Sequence, residues 1–343
     1  MRIGVLTGGG DVPGLNAAIR AVARRAFEYG YEVMGIRNGW AGLLEGDGEP
    51  LSLGSVSGIL HVGGTILGTS RTNPLKREGG IEKCLENARD FHVDALVAIG
   101  GDDTLTVAAA LFKAGMSIVG IPKTMDNDVS DTDYCIGFNT AVTMVAEACD
   151  RLHTTANSHH RVVVVEVMGR DAGWVATIGG LAGGADFILI PECSCSVEDI
   201  SNHIKRRYEE QGKGFSIIVV SEGADIYGVE AKEDLGETDE FGHVRLDRRN
   251  MGKALAKAIE RRTGFESRSV VLGYLQRGGS PTVFDRVLAT RLGVAAVDLI
   301  KESRFGYMVA IQGNRIVPVP LEKVAGRTKK VDLSLYALAK VFY

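Results

Sequence analysis

The sequence is short of proline, with 8 in 343 residues, and its five cysteines are scattered at Cys84, Cys135, Cys149, Cys193 and Cys195. An odd, dispersed set offers no disulfide framework. Cys193 and Cys195 form a C-x-C with no second pair, and read as small apolar residues rather than metal ligands. No run reaches the ~18 uncharged apolar residues of a membrane span. The opening stretch Met1–Asp11 has no basic region, long apolar core or cleavage site, so no signal peptide is expected. Blocks of like charge are missing too. With 39 basic and 43 acidic residues the net charge is −4, which argues against a protein built to grip nucleic acid or an anionic membrane. A reduced, cytoplasmic protein is expected.

What is abundant is glycine, 44 of 343 residues, against a usual share of about 7%. Glycine excess without proline points to tight turns where backbone must approach something closely. The remaining composition, 45% hydrophobic and 24% charged, is that of a globular protein and excludes a disordered or collagenous chain. At roughly 100–200 residues per domain, the length implies two domains or one large one.

Short, continuously apolar runs alternate with longer helical patterns. The runs are Ile3–Thr7, Glu32–Ile36, Ala95–Ile99, Ser117–Ile121, Val162–Val167, Phe187–Ile190, Ser216–Val220, Ser269–Leu272 and Met308–Ile311. Continuous apolarity marks strands buried on both faces of a parallel sheet. Helical patterns fall at Asn16–Tyr29, Leu105–Ala114, Thr140–Thr154, Val197–Gln211 and Arg249–Thr263. The alternation predicts an α/β fold with its ligand crevice at the carboxyl ends of the strands. Glu222–Asn250 is polar and acidic and reads as an exposed insertion. No Pro/Gly/Ser-rich linker marks a boundary, so the chain is expected to cross between domains more than once.

The glycines gather at the expected strand ends. Gly8-Gly9-Gly10 leads into a helix and reads either as a phosphate cradle, with backbone N–H groups and a helix N-terminus turned to an anion, or as a structural turn. Gly100-Gly101-Asp102-Asp103-Thr104 sets two adjacent carboxylates at a strand mouth, a site for Mg²⁺ with a phosphate or else a solvated helix cap. Pro122-Lys123-Thr124-Met125-Asp126-Asn127-Asp128 packs an ammonium, a hydroxyl and two carboxylates together. Such a set can supply a general base and a charge clamp, and the alternative is an Asx-rich turn. Arg71, Arg161, Arg170, Arg268 and Arg277 are placed at strand mouths beside glycines. Taken singly they read as surface ion pairs, and together as a site for several phosphate oxygens. His159-His160 reads as polar loop.

These motifs together resemble the 6-phosphofructokinases. Thr7–Asn16, Gly100–Thr104, Pro122–Asp128, Glu166–Arg170 and Leu272–Pro281 fall in that family's order and spacing, and the likeness runs from Ile3 to about Val317. The resemblance implies two Rossmann-like three-layer α/β domains with largely parallel sheets and the active site in the cleft between them. It places the phosphoryl donor and Mg²⁺ on 1–137 with 276–326, and fructose 6-phosphate on 138–275 with 327–343. It implies phosphoryl transfer to the 1-hydroxyl of fructose 6-phosphate, with Asp126 as general base supported by Thr124 and Asp128, and Asp102 holding Mg²⁺. Gly10, Arg71 and Thr104 would approach the donor. Met125, Met168, Gly169, Arg170, Glu222, Tyr274 and Arg277 would hold the sugar phosphate, with Arg161 and Arg268 reaching in from a neighbouring subunit of a homodimer or homotetramer.

Where ATP-using bacterial members carry glycine, this chain has Asp103 and Lys123, which resembles the pyrophosphate-dependent branch. An aspartate at 103 fills the space of an α-phosphate and repels its charge, while Lys123 supplies a point charge for a donor without a nucleoside. Tyr274 stands where histidine is common, so that contact is an uncharged hydrogen bond. Two arginine positions of the family's effector site are Leu53 and His153, although Arg20 and Arg24 remain, which argues against effector control. The alternatives are weaker. An ATP-dependent enzyme of the same fold lacks the Asp103–Lys123 rationale. A nicotinamide dehydrogenase needs an acidic residue where the second strand ends in Ile36-Arg37-Asn38. A non-catalytic sugar-phosphate sensor has no reason to keep both Asp102 and Asp126.

Overall fold

The structure is a computed structural model and describes residues 1–210, 212–230, 240–242 and 249–343. The chain forms two compact units. The described residues of the first are 1–140, 240–242 and 277–329, and those of the second are 141–210, 212–230, 249–276 and 330–343.

In chain order the first unit opens with β1 (Arg2–Thr7), α1 (Leu15–Glu28), β2 (Glu32–Ile36), α2 (Trp40–Glu45), β3 (Gly48–Leu51), α3 (Gly80–Asp90), β4 (Ala95–Gly100), α4 (Asp102–Lys113) and β5 (Ile118–Pro122). Helix α5 (Phe138–His159) begins in the first unit and continues into the second. The second unit follows with β6 (Val162–Val167), α6 (Trp174–Ala182), β7 (Phe187–Leu189), β8 (Cys195–Ser196), α7 (Val197–Glu209), β9 (Ser216–Ser221), β10 (Ile226–Tyr227), α8 (Met251–Thr263) and β11 (Ser267–Val271). The chain then returns for α9 (Val283–Lys301), β12 (Tyr307–Gln312), β13 (Arg315–Pro320) and α10 (Leu321–Val324), and α11 (Leu333–Ala339) closes the second unit.

Every apolar run expected as a strand is one. The first unit holds a seven-stranded sheet in the order β13-β12-β5-β4-β1-β2-β3. The inner pairs are parallel, and β3 and β13 add antiparallel edges. The second unit holds a parallel sheet in the order β11-β6-β9-β7. Strands β4, β5 and β6 are buried along their whole length, as covering on both faces requires. On α1, Leu15, Ile19, Val22 and Ala26 face inward, and the helix packs on α9. A Cβ on Gly293 of α9 would come 2.6 Å from Ala21 Cβ, so this contact depends on glycine. Among the described residues, no helix is long and apolar enough to cross a membrane.

Three expectations change. α4 begins at Asp102 rather than Leu105, so the carboxylate pair forms the first turn of a helix, where the positive end of the backbone dipole favours it. α5 runs on to His159, and the turn comes at His160, whose φ of 52° is left-handed. The 222–250 stretch is not uniformly exposed. Ala224 and Ile226 are buried in the second unit, and Glu240 accepts a hydrogen bond from Asn73 N at 2.9 Å in the first. Residues 231–239 and 243–248 of that stretch lie outside the described residues.

Candidate active site

The order β5-β4-β1-β2 places β1 between two strands reached in opposite directions along the chain. That is a topological switch point, where α/β sheets open a crevice at their carboxyl ends. Thr7 is in register with Ile99, and Gly100 with Pro122. The loops that leave β1, β4 and β5 therefore emerge side by side, which brings Gly8–Gly10, Asp102–Thr104 and Lys123–Asp128 together.

The glycine loop is built around Lys123. This side chain is only 2% exposed, and its ammonium donates to the carbonyls of Gly8 and Gly10 at 2.7 and 2.6 Å. Its backbone N–H donates to Gly100 O at 2.9 Å. Burial, with the Arg277 guanidinium nearby, lowers the ammonium to about 7. Gly9 has a φ of +78°, which favours glycine. A Cβ on Gly8 would fall 2.6 Å from Thr104 Oγ1, and one on Gly10 would overlap the Arg277 guanidinium. The segment before Arg71 locks the same loop: Gly9 N donates to Ser70 O at 3.0 Å and Thr69 Oγ1 to Gly9 O at 2.6 Å. Arg71 itself is exposed beside it. The structure thus gathers Gly10, Thr104, Lys123 and Arg277 at one loop and sets Arg71 at its rim.

Burial raises the Asp102 carboxyl to about 6, and the charges of Asp103 and Asp128 push in the same direction. Asp102 Oδ1 accepts a hydrogen bond from Gly326 N at 2.9 Å, and the Arg327 backbone also bonds to this carboxyl. Carboxylates that repel one another at a half-buried helix start fit a hard, oxygen-seeking cation that relieves the repulsion. Among the described residues, no cluster of three or more His, Cys, Asp or Glu side chains forms a closed metal cage, and a hydrated Mg²⁺ does not need one.

Asp126 stands half-exposed between Met125 and Asn127, which are 2% and 1% exposed. Asn127 takes a left-handed φ of 51° and is tied down on both sides, donating to Asp133 O at 3.1 Å and accepting from Cys135 N at 2.9 Å. Asp126 N donates to Thr124 Oγ1 at 3.1 Å. The segment 123–128 is therefore a rigid mount that holds up one carboxylate.

In the second unit, β6 leads into Met168, Gly169 and Arg170. Gly169 has a φ of +128°, and its carbonyl accepts a hydrogen bond from Ser221 Oγ. Its N–H points at Glu222 Oε1, 3.4 Å away. Glu222 N donates to Val167 O at 2.9 Å, and Arg170 pairs with Asp171 at 2.9 Å. Tyr274 is 78% exposed. Met168, Gly169, Arg170 and Glu222 are thus brought together. Arg161 and Arg268 are not with them: Arg161 precedes β6, and Arg268 pairs with Val163 near its start. The five arginines therefore do not form one group at the strand mouths as expected, because these two stand at the opposite end of the strand. Sequence reading also missed Ser221, Glu266 and the capping role of Glu166, whose Oε2 accepts from Gly252 N at 2.7 Å at the start of α8. The partners of Ser221 and Glu166, and the Arg161 partner of Glu266, are distant in sequence, so no local signal marked those contacts.

The fold is that of a doubly wound α/β protein, with a glycine loop closed on a buried lysine beside a carboxylate pair and a mounted aspartate. The phosphofructokinase family model matches residues 2–300, and the chain belongs to that family. It is 55% identical over 344 residues to a pyrophosphate--fructose 6-phosphate 1-phosphotransferase of Amycolatopsis mediterranei, covering 100% of both chains. It is 50% identical over 338 residues to ATP-dependent 6-phosphofructokinase 2 of Streptomyces coelicolor, covering 96% of each. The crystal structure of Pichia pastoris phosphofructokinase in the T-state matches with a TM-score of 0.83 at 32% identity, over 99% of this chain and 36% of that one.

Proposed function

We propose that this protein catalyses reversible, Mg²⁺-dependent phosphoryl transfer from pyrophosphate to the 1-hydroxyl of fructose 6-phosphate. The observation that carries this reading is the glycine loop closed on Lys123, beside Asp103 in the first turn of α4. The full-length relative named for pyrophosphate supports the same donor.

The first unit carries the donor, on Gly10, Arg71, Asp103, Thr104 and Lys123. The sugar phosphate is held by Met125, Met168, Gly169, Arg170, Glu222, Tyr274 and Arg277. Asp126 accepts the proton of the 1-hydroxyl as that oxygen bonds to phosphorus. The bridging P–O bond breaks, and its electron pair leaves with inorganic phosphate. Lys123, which holds the glycine loop closed, neutralises charge on the donor, and Thr124 orients the Asp126 segment. Asp102 would hold Mg²⁺, which when bound shields the phosphate charges. Phosphoryl transfer depends mainly on such positioning and electrostatic stabilisation.

Arg161 and Arg268 complete the sugar-phosphate site of a neighbouring copy in a homodimer or homotetramer. Their placement supports this. The strand β6 separates them from Met168–Arg170 of their own chain by about 20 Å at ~3.3 Å per residue, too far for one phosphate to bridge.

The ATP-dependent reading is favoured by 46–50% identity to ATP-dependent relatives. Purified protein with fructose 6-phosphate and Mg²⁺, given pyrophosphate, ATP or ADP separately, decides between them. Turnover is expected with pyrophosphate, and also in reverse from fructose 1,6-bisphosphate and phosphate. ATP turnover equal to that with pyrophosphate would refute the assignment.

A further inference from the structure

Arg161 and Arg268 both reach one carboxylate. Arg161 Nε lies 2.7 Å from Glu266 Oε2, and Arg268 Nη2 donates to Glu266 Oε1. The fold makes this meeting. Val162 N donates to Glu266 O at 3.0 Å, where β11 begins to pair with β6, so the residues flanking both strand starts share one edge. Glu260 stands 3.9 Å from Arg268 as a more distant second acid. The ion pair with Arg161 holds the Glu266 carboxyl below the usual carboxylate range.

The side chains of Arg161, Glu266 and Arg268 are 33%, 38% and 56% exposed. A cluster this open adds little to stability, and its anion can exchange with one from solution. The two guanidinium groups carry more N–H donors than the Glu266 carboxylate and the more distant Glu260 take up, since each fork carries five. A phosphomonoester, with more acceptor oxygens and more charge, matches those donors better than a carboxylate does.

We infer that Glu266 is the resident counter-anion of this phosphate site, competing with the incoming sugar phosphate for the Arg161 and Arg268 forks. The inference rests on the proposed role of those arginines in a neighbouring copy's sugar-phosphate site. Glu266 is thus a positioning residue that sets sugar affinity. It keeps the forks aimed while empty and must release them as phosphate binds.

Steady-state kinetics of the assembled enzyme test it, with Glu266→Gln and Arg161→Ala measured in parallel. Gln keeps the shape and removes the charge. In Glu266→Gln the KM for fructose 6-phosphate is expected to fall about three- to tenfold, the scale set by exposed charge pairs at binding sites. The KM for pyrophosphate and kcat at saturating sugar should stay within about twofold, a split that general damage to the fold would not produce. In Arg161→Ala the KM for the sugar should rise more than about tenfold. If Arg161→Ala raises it while Glu266→Gln leaves it unchanged or raises it, the counter-anion role is wrong and the arginine reading stands. If Arg161→Ala leaves sugar affinity unchanged, both are wrong.

Discussion

The ammonium of Lys123 lies 2.6 Å from the carbonyl oxygen of Gly10. Its charge is therefore turned into the glycine loop and away from open solvent, and the residue acts partly by holding that loop in shape. Lys123→Met keeps comparable bulk but leaves two carbonyls without their donor. Turnover with pyrophosphate is expected to fall ~10²–10³-fold, the cost of losing one preorganised donor, with a smaller change in the KM for the sugar. Rapid-quench and steady-state rates on the variant check this.

The same burial makes pyrophosphate binding sensitive to pH. Lys123 is lowered to about 7 from 10.5, so it keeps its charge below neutrality and loses it above. The KM for pyrophosphate should rise as pH passes upward through about 7, and Lys123→Met should lack that break, since ionisation of the donor itself is common to both proteins. Stability runs in the opposite sense. Between about 7 and 10.5 the unfolded chain holds the proton that the folded chain has lost, so this group's contribution grows with rising pH. It is fully present above 10.5 and lost as pH falls through about 7. Identical KM profiles in the two proteins would remove Lys123 from the explanation.

Asp126→Asn should leave the mount intact, because Asn127 and Thr124 make the hydrogen bonds that shape it. The expected loss is in kcat, by ~10²–10⁴-fold, as for removal of a general base. Retention of more than about half the rate would assign the proton to another group.

Gly10→Ala would drive a methyl group into the Arg277 guanidinium. The far end of a flexible side chain can yield, so stability should change by less than about 1 kcal/mol. Displacing a charged donor from a phosphate should raise the KM of the affected substrate about 10–100-fold. Thermal melts and kinetics with each substrate varied will separate the two effects.

Donor choice is tested by Asp103→Gly, Lys123→Gly and the pair. Asp103→Gly removes bulk and a repulsive charge from the first turn of α4, and Lys123→Gly opens the loop. Both residues act on one phosphate chain, so their effects should couple. The ratio of kcat/KM for ATP over pyrophosphate should rise most in the double variant. No rise would overturn the donor account.

The parallel core was legible from the amino-acid sequence because burial on both faces leaves a local mark, the unbroken apolar run. The edges were not. β3 and β13 carry Pro50, Pro318 and Pro320, which argue against a strand, yet each lies at an outer edge where a missing N–H costs no ladder bond. The candidate site divides in the same way. Glycines and acids at strand ends announced Gly8–Gly10, Asp102–Thr104 and Lys123–Asp128, since a turn and its chemistry are encoded within a few residues. The Lys123 contact with Gly8 and Gly10 spans more than a hundred positions, as does that of Arg161 with Glu266. Such contacts exist only once parallel strands far apart in the chain are set in register, and only then do charge, burial and neighbour become properties of one place.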